Sequence, residues 1–547
     1  MAKFKLIDLF AGAGGLSLGF EQTGCFDIKA FIEKNKNAKT SYQNHFQQAD
    51  WYEDVNGLDF KELNEKYGGI DVVIGGPPCQ GFGNANRQHN QAINLNNKLV
   101  KEYIRAVLAI QPKAFVMENV SMLKSEIHRF YIEKKDEKIV EQYHIKTKDD
   151  SIFLLDKQFL FNDAAEIVSD LNKIESNKWN DKLYRLLNIW QKDSTNDKKL
   201  ETAIDRHLAE IKRLIHLWQK DTVVQFSDKI LPIQEADSNL FQFILSTGDL
   251  KTEKCQLKSV LKLSIAYQKM LRRVKEIFDN DIDAHYTILN ENNEIGDLTA
   301  KVQSCAVYDY LTSILGAGEN GYAINKGILS AEEFGVPQKR RRFVLIGVKK
   351  RYTDTVELPK ADKGNYNVST VRDAIADLSE CQPYYSSEED NGVLVNKNQG
   401  AEKNTLALLR DNDGKIYNHI ITKTSSVAME RFKLIKPGKN FHDLPKEFKD
   451  NTYTNTERTQ NTIYKRLLYS EPCGTVVNVR KSMWIHPEKN RAVSIREAAR
   501  LQTFPDSFRF FGSKDSEYQQ VGNAVPPMLA KAIALQILKY IDQENDR

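Results

Sequence analysis

Two residues in the first quarter of the chain have the types and the setting for covalent chemistry on a ring. Cys79 follows two prolines at the end of an apolar run, in the segment GGPPCQGFG, and the next apolar run, residues 114–117, leads into Glu118, Asn119 and Val120. A lone cysteine is by default a small buried hydrophobe. Here paired prolines stiffen the backbone where a strand emerges, and a carboxyl ends the neighbouring strand, where burial without a task is costly. A thiolate can add to C6 of cytosine and push electron density to C5, making an unreactive aromatic carbon nucleophilic. A carboxyl beside it can bond N3 and the exocyclic amine and stabilise the charge that develops.

A second constellation points to a cofactor. The apolar run at residues 4–10 enters AGAGG, and glycines at a strand-to-helix turn let the backbone approach a ligand at the carboxyl edge of a sheet. The dinucleotide pattern G-x-G-x-x-G fails, because Ser17 stands at the third glycine position. Glu33, near the end of the second strand, suits an acid gripping ribose hydroxyls. A nucleoside cofactor without a cradled pyrophosphate, such as S-adenosylmethionine, satisfies both facts. The alternative is a purely structural glycine turn with a solvated Glu33.

These residues need a sheet to position them. Strand-like runs at 4–10, 28–32, 70–74 and 114–117, alternating with helical stretches, predict βαβ units and a parallel sheet. From about residue 123 to 303 the texture turns to Lys, Glu, Asp, Asn and Leu at helical spacing, which predicts a separate helical block. Within it, RLLNIWQKDS (185–194) resembles RLIHLWQKDT (213–222); two copies are too few for a solenoid, and the choice lies between chance or local duplication and equivalent ends of two packed helices. Strand texture returns at 342–348, a polar, turn-rich region follows, and helical patterns at 495–502 and 527–541 flank VGNAVP.

With 547 residues the chain has room for two or three domains. A net charge of +4 neither demands nor excludes a nucleic-acid partner, so any basic face must be local. Cys25, Cys79, Cys255, Cys305, Cys381 and Cys473 form no CxxC pair and lie near no histidine at ligand spacing. A reducing, cytosolic setting without a structural metal or disulfide framework is expected. The start of the chain reads as a buried strand, not a signal peptide, and no stretch approaches the ~20 apolar residues needed to cross a bilayer.

FAGAGG, PPCQ, ENV, QKRRR, REAARLQTFP and VGNAVPP occur here in the order found in the cytosine-5 DNA methyltransferase family, which the chain resembles over roughly residues 1–122 and 304–540. The resemblance implies a class I S-adenosylmethionine-dependent methyltransferase, an α/β Rossmann-like fold with a mostly parallel sheet, a smaller loop-rich target-recognition domain and a large helical insertion. The implied boundaries are 1–122 and 304–350 for the catalytic domain, 123–303 for the insertion, 351–510 for target recognition and 511–547 for the C-terminal part of the catalytic domain.

By the same resemblance Phe10, Ala11, Gly12, Gly14, Gly15 and Leu16 line the S-adenosylmethionine site, with Glu33 at the ribose and Asp50 and Trp51 near the adenine. Pro78, Leu99, Asn523 and Val525 are further implied contacts. Cys79 attacks C6, Glu118 engages N3, and Arg342 with Arg340 and Gln338 holds the flipped nucleotide and its phosphate. Planar guanidinium groups suit that task. Gln80, Thr475, Arg466 and Arg480 are implied contacts to double-stranded DNA, and no metal is implied. Two departures stand out: Gly83 replaces the Ser usual after PPCQxF, and the Asp-x-Arg-Asn pattern before Leu99 reads Asn94, Leu95, Asn96 and Asn97.

A stacked base cannot be reached from both faces, so the target cytosine must be flipped out. The resemblance implies a bacterial enzyme of restriction-modification type, a monomer on DNA in the cytoplasm, with a cognate endonuclease or defence protein as a candidate partner. The runner-up is a transfer-RNA cytosine-5 methyltransferase on the same fold, against which the long recognition segment argues. For the insertion, added DNA contact or partner docking stands beside a solvated embellishment.

Overall fold

The computed structural model describes residues 3–78, 96–120, 129–162, 164–221, 231–291, 294–361, 369–395, 409–410, 415–449 and 459–542. Cys79, Gln80, Gly83, Asn94 and Leu95 lie outside them. The chain forms two compact units, one of Met1–Asn84, Asn96–His128 and Leu311–Arg547, the other of Ala85–Leu95 and Arg129–Tyr310.

In the first unit, β1 (Phe4–Leu9), β2 (Phe26–Ile32), β3 (Asp50–Tyr52), β4 (Val72–Gly75) and β5 (Ala114–Val120) pair in parallel. Four strands of the second unit come next in the chain: β6 (Arg129–Tyr131), β7 (Thr147–Leu155), β8 (Ala284–Glu291) and β9 (Glu294–Ala306). Then β10 (Tyr322–Ser330) and β11 (Arg341–Lys349) complete the first sheet, in the order β10-β11-β5-β4-β1-β2-β3. β11 runs antiparallel to both neighbours. It therefore begins at the edge where the parallel strands end, and this brings its arginines beside Glu118.

β4 and β5 are buried on both faces, which is why they read as continuous apolar runs without alternation. β3 was not anticipated from the sequence, since three residues, one charged and two amphipathic, carry no period. The helix Lys514–Asn523 was also missed, because Tyr518 and Val521 are the only large apolar residues in it. The helix Gly15–Glu21 packs so closely on the C-terminal helix Pro527–Ile541 that a Cβ on Gly19 would lie 2.4 Å from Ala530 Cβ and Pro527 O. On Gly15 it would lie 2.3 Å from Val525 O. Two glycines of the first helix are thus packing requirements, while the turn before it serves the ligand edge. Against expectation, an 18-residue window within Lys514–Ile541 is apolar enough by composition to cross a membrane, and it is 72% buried, as in a core helix.

The segment after β11 is loop-rich, as expected, and its described part is stitched by buried charge. Arg500 sits between Asp377 and Asp506, with contacts of 2.7 Å to each, and Glu497 accepts from Arg491 at 2.6 Å. Arg496 donates to the carbonyls of Tyr417, Pro505 and Phe508. The charged residues of REAARLQTFP are therefore scaffold, each buried and fully employed.

The second unit corrects the expectation of a helical block. It holds an antiparallel sheet, in which β9 pairs with β6, β7 and β8, besides helices including Asp181–Asp193, Asp197–Asp221, Pro232–Ser246 and Lys254–Asp279. The sheet escaped notice because β7 opens on four exposed or half-exposed polar residues, Thr147 to Asp150, that look helical by composition. The two similar segments end two packed helices. Leu186, Leu187 and Trp190 in one, and Leu214, Ile215 and Trp218 in the other, meet in a shared core.

Candidate active site

At the carboxyl edge of the first sheet, β1 runs into a turn whose first residue, Phe10, has φ 61°, a conformation that a bulky side chain adopts only when its surroundings hold it there. The turn amides are organised by the next strand. Glu33 Oε2 accepts from the Gly12 N–H at 2.8 Å, and Oε1 from the Asn35 N–H at 2.6 Å. Each oxygen keeps a second lone pair for a ribose hydroxyl. Burial raises the Glu33 carboxyl, against the lowering effect of its amide donors. A Cβ on Gly12 would meet nothing within 4 Å, so the turn is open on the ligand side. An acid, open space beside Gly12 and Trp51, whose Nε1 donates to Glu33 O at 2.9 Å, fit a nucleoside cofactor.

Other expected cofactor residues are placed as follows. Ala11 donates to Ile32 O and accepts from Gly14 N–H, which closes the turn. Leu16 is packed in the main core. Asp50 is engaged at Oδ2 by Lys66 Nζ and Tyr67 OH, at 2.8 and 2.6 Å, which holds its carboxyl below the usual range. Pro78 and Leu99 are half-buried, Val525 is buried, and Asn523 is exposed, its Oδ1 accepting from Gln519.

Beneath the turn lies a relay that sequence reading did not single out. Asp8, 1% exposed, accepts from Ser17 Oγ at 2.6 Å, and Ser17 Oγ is 2.7 Å from Tyr42 OH. Burial pushes the Asp8 carboxyl up to about 8. The break in the apolar run at Asp8 was the available signal.

β4 ends in Gly75, and Gly76 and Pro77 follow at the same edge. Asn119 Nδ2 donates to Pro77 O at 3.0 Å, so the residue after Glu118 grips the segment that leads to Cys79. Tyr103 OH donates to Val116 O at 2.7 Å and contacts Val73 O at 3.3 Å, tying β4 and β5 together from behind. Glu118 is opposite Val344 and therefore diagonal to Arg342 across the β5–β11 pair. Arg342 Nε meets Glu118 Oε1 at 2.7 Å, with side-chain exposures of 15% and 11%. Burial raises the Glu118 carboxyl, and Arg342 and then Arg340 oppose the shift. The result is a carboxyl that takes up a proton more readily than an exposed one, while remaining beside a permanent cation.

Three residues expected at the nucleotide or the DNA are buried and bonded within the protein. Arg340 is 0% exposed and donates to the carbonyls of Val476 at 2.8 Å, Gly522 at 3.0 Å and Ala524 at 2.8 Å. It is a strut locking the start of β11 to Val476 and the VGNAVP turn. Gln338 is likewise buried, donating to Gln502 Oε1 and accepting from the Val476 N–H. Arg466 is buried and spends its guanidinium on the carbonyls of Ile435, His486 and Lys489. All three serve backbone that would otherwise be buried unpaired. Thr475, half-exposed, donates to Lys339 O, and Arg480 pairs with Asp515 at 2.7 Å with 38% of its side chain exposed.

The sheet order, the antiparallel β11 and the glycine turn facing an acid after β2 make this a class I S-adenosylmethionine-dependent methyltransferase fold. A prophage-encoded candidate DNA modification methyltransferase of E. coli shares it, with a TM-score of 0.51 and 18% identity over 99% of this chain and 100% of that one. The C-5 cytosine-specific DNA methylase family matches residues 4–148 and 311–539, more than half of the 547 residues, and the chain belongs to that family. Type II methyltransferase M.DdeI of Desulfomicrobium norvegicum is 24% identical over 99% of this chain and 90% of its own length. Type II methyltransferase M1.HphI of Haemophilus parahaemolyticus is 33% identical over 41% of this chain and 50% of its own. The family places the enzyme among DNA cytosine-5 methyltransferases and does not favour the transfer-RNA alternative. Residues 149–310 lie between the two matched segments.

Proposed function

We propose that this enzyme methylates cytosine within a short DNA sequence, with Cys79 as nucleophile and Glu118 as the acid at N3. The supporting observation is the buried Glu118–Arg342 pair between β5 and β11, with Asn119 beside it joined to the segment that precedes Cys79. The Cys79 thiolate adds to C6 of the flipped cytosine as Glu118 supplies a hydrogen bond or proton to N3, so the electron pair displaced from the ring is held at C5 and N3. Arg342 fixes the Glu118 carboxylate in place and keeps it from drifting toward solvent. C5 then takes the methyl group; loss of the C5 proton to water, return of the C6–S bond pair to the Cys79 thiolate and return of the N3 proton to Glu118 restore the aromatic ring.

S-adenosylmethionine, when bound, supplies an electrophilic methyl group. Gly12, Gly14, Glu33, Trp51, Phe10 and Val525 are the residues we assign to holding it, with Asp50 contributing its Oδ1. Thr475, Arg480 and Gln80 are assigned to DNA, and the loop-rich region to recognition of the site. The type II methyltransferase names of the relatives support a role in a bacterial restriction-modification system; we assign the enzyme to the cytoplasm as a monomer on DNA, with a cognate endonuclease or defence protein as candidate partner.

Bisulfite sequencing of DNA and RNA from a host expressing the protein tests this reading. 5-Methylcytosine at one short DNA motif, absent with Cys79→Ser, is expected. Methylation confined to RNA, or none in either, contradicts it.

A further inference from the structure

Ser17 is the third residue of the helix Gly15–Glu21, which opens directly from the glycine turn, and its hydroxyl joins three elements. It donates to Asp8 Oδ2 on β1 at 2.6 Å, and Tyr42 OH, from the helix Lys36–His45, lies 2.7 Å from the same Ser17 oxygen. A hydroxyl has one proton, so with that proton given to Asp8 the Tyr42 hydroxyl is the donor to Ser17. The chain therefore runs from Tyr42 to Ser17 to Asp8, and each of the three residues is 1% exposed or less.

The Tyr42 ring carries this chain to the turn. It stacks on Phe31, two residues before Glu33, with ring centroids 3.9 Å apart and planes inclined by 13°. It also lies against Gly14, where a Cβ would come 2.8 Å from Tyr42 Cδ2 and 3.0 Å from Phe46 Cε2. Gly14 has φ 94° and caps the helix without a side-chain hydrogen bond, so these rings are what bound the cap on that side. Glu33 holds the same turn through the Gly12 N–H, and its charge is among the influences that raise Asp8. A buried polar chain whose members are paired fixes one arrangement of the groups it joins, where apolar packing alone tolerates several.

We propose that Tyr42, acting through Ser17 and Asp8, is a positioning residue for the cofactor turn: it holds Gly14, and with it residues 10–14, in the shape that binds S-adenosylmethionine. The inference rests on the assignment of that turn to the cofactor and adds to it buried residues that act through the turn. A hydrogen bond of this kind is worth about 3- to 10-fold in an equilibrium. Without it the turn spreads over more conformations, of which only one binds, and the apparent affinity falls by that fraction.

The test is a double-variant cycle on the full-length enzyme, with Tyr42→Phe, Ser17→Ala and both together, read by calorimetric titration with S-adenosylmethionine. Tyr42→Phe removes one oxygen and keeps the ring against Phe31 and Gly14. Each single variant should weaken cofactor binding about 3- to 10-fold. The double variant should bind within about twofold of Ser17→Ala alone, because Tyr42 has already lost its acceptor there. KM for S-adenosylmethionine should rise by a larger factor than kcat falls, and affinity for a DNA duplex without cofactor should stay that of wild type. A folded Tyr42→Phe enzyme with wild-type cofactor affinity overturns the proposal, and this arm decides alone if Ser17→Ala does not fold. Single effects that multiply in the double variant, or equal losses of cofactor and DNA affinity, also overturn it, since both mark a general loosening of the core. Absence of binding by the wild-type enzyme in the same titration fails the cofactor reading itself, and the inference with it.

Discussion

Asn119 donates from Nδ2 to the carbonyl oxygen of Pro77 at 3.0 Å, so one residue joins the strand that ends in the acid to the segment that leads to the nucleophile. The neighbouring residue Glu118 points instead to Arg342. Two adjacent side chains on β5 thus organise both halves of the proposed chemistry, each facing its own partner across the sheet edge.

Burial raises the Glu118 carboxyl and Arg342 lowers it. Because the proposed step uses the protonated or hydrogen-bonding form, kcat/KM should be highest on the acid side and fall as pH rises through the Glu118 value. Glu118→Gln should lose about 10²- to 10⁴-fold in rate and lose that descending limb. Arg342→Met removes the lowering cation, so its limb should move to higher pH. A limb that stays in place in both variants excludes Glu118 as its source.

Arg340 is predicted to matter for stability and not for phosphate binding. Its guanidinium serves the carbonyls of Val476, Gly522 and Ala524 in a fully buried setting. Arg340→Met should cost roughly 3 kcal/mol or more, since hydrogen bonds to a charged group and buried acceptors are lost together. Denaturant melts read the loss. The salt slope of DNA binding by the folded fraction should be that of wild type.

Much of this was legible in sequence, and the gaps have physical reasons. The parallel strands showed because β4 and β5 are buried on both faces, and the ordered motifs pointed to the sheet edge where Glu118 meets Arg342. The direction of a charged side chain was not legible. Arg340 and Arg342 are two residues apart in one run of basic residues, yet one turns to carbonyls of the C-terminal turn and the other to Glu118. That division depends on the antiparallel pairing of β11 with β5, a long-range contact that no local pattern encodes. Arg466 misled for the same reason, since a lone arginine in a polar stretch reads as surface until its carbonyl partners are seen. The sheet of the second unit was hidden by the charged residues that open β7.

Asp8 offers a stability test with a definite sign. Its folded value of about 8 lies above its ordinary 3.8, so its contribution is intact below about pH 4 and is lost as pH rises towards 8. Asp8→Asn keeps an acceptor for Ser17 Oγ and removes the titration. The stabilisation it gives should grow by roughly 3 kcal/mol between pH 5 and pH 7.5. Urea melts at the two values check this, and an equal gain at both contradicts it.

Gly19 should tolerate no side chain. A Cβ there meets Ala530 Cβ and Pro527 O at 2.4 Å, and helix backbone cannot retreat from another helix cheaply. Gly19→Ala should destabilise by about 1–3 kcal/mol, and Gly19→Val by more. Because the same helix carries Gly15 against Val525 O, cofactor affinity should fall in parallel, read by calorimetric titration with S-adenosylmethionine.

The central claim is that Cys79 attacks C6 of cytosine in DNA, and trapping tests it most directly. The enzyme is incubated with S-adenosylmethionine and duplex DNA from the methylated motif carrying 5-fluorocytosine, whose fluorine cannot leave as a proton does. The account predicts a denaturant-stable protein–DNA adduct that mass spectrometry assigns to Cys79 and that Cys79→Ser abolishes while S-adenosylmethionine binding persists. No adduct, or one assigned to another residue and retained in Cys79→Ser, contradicts it.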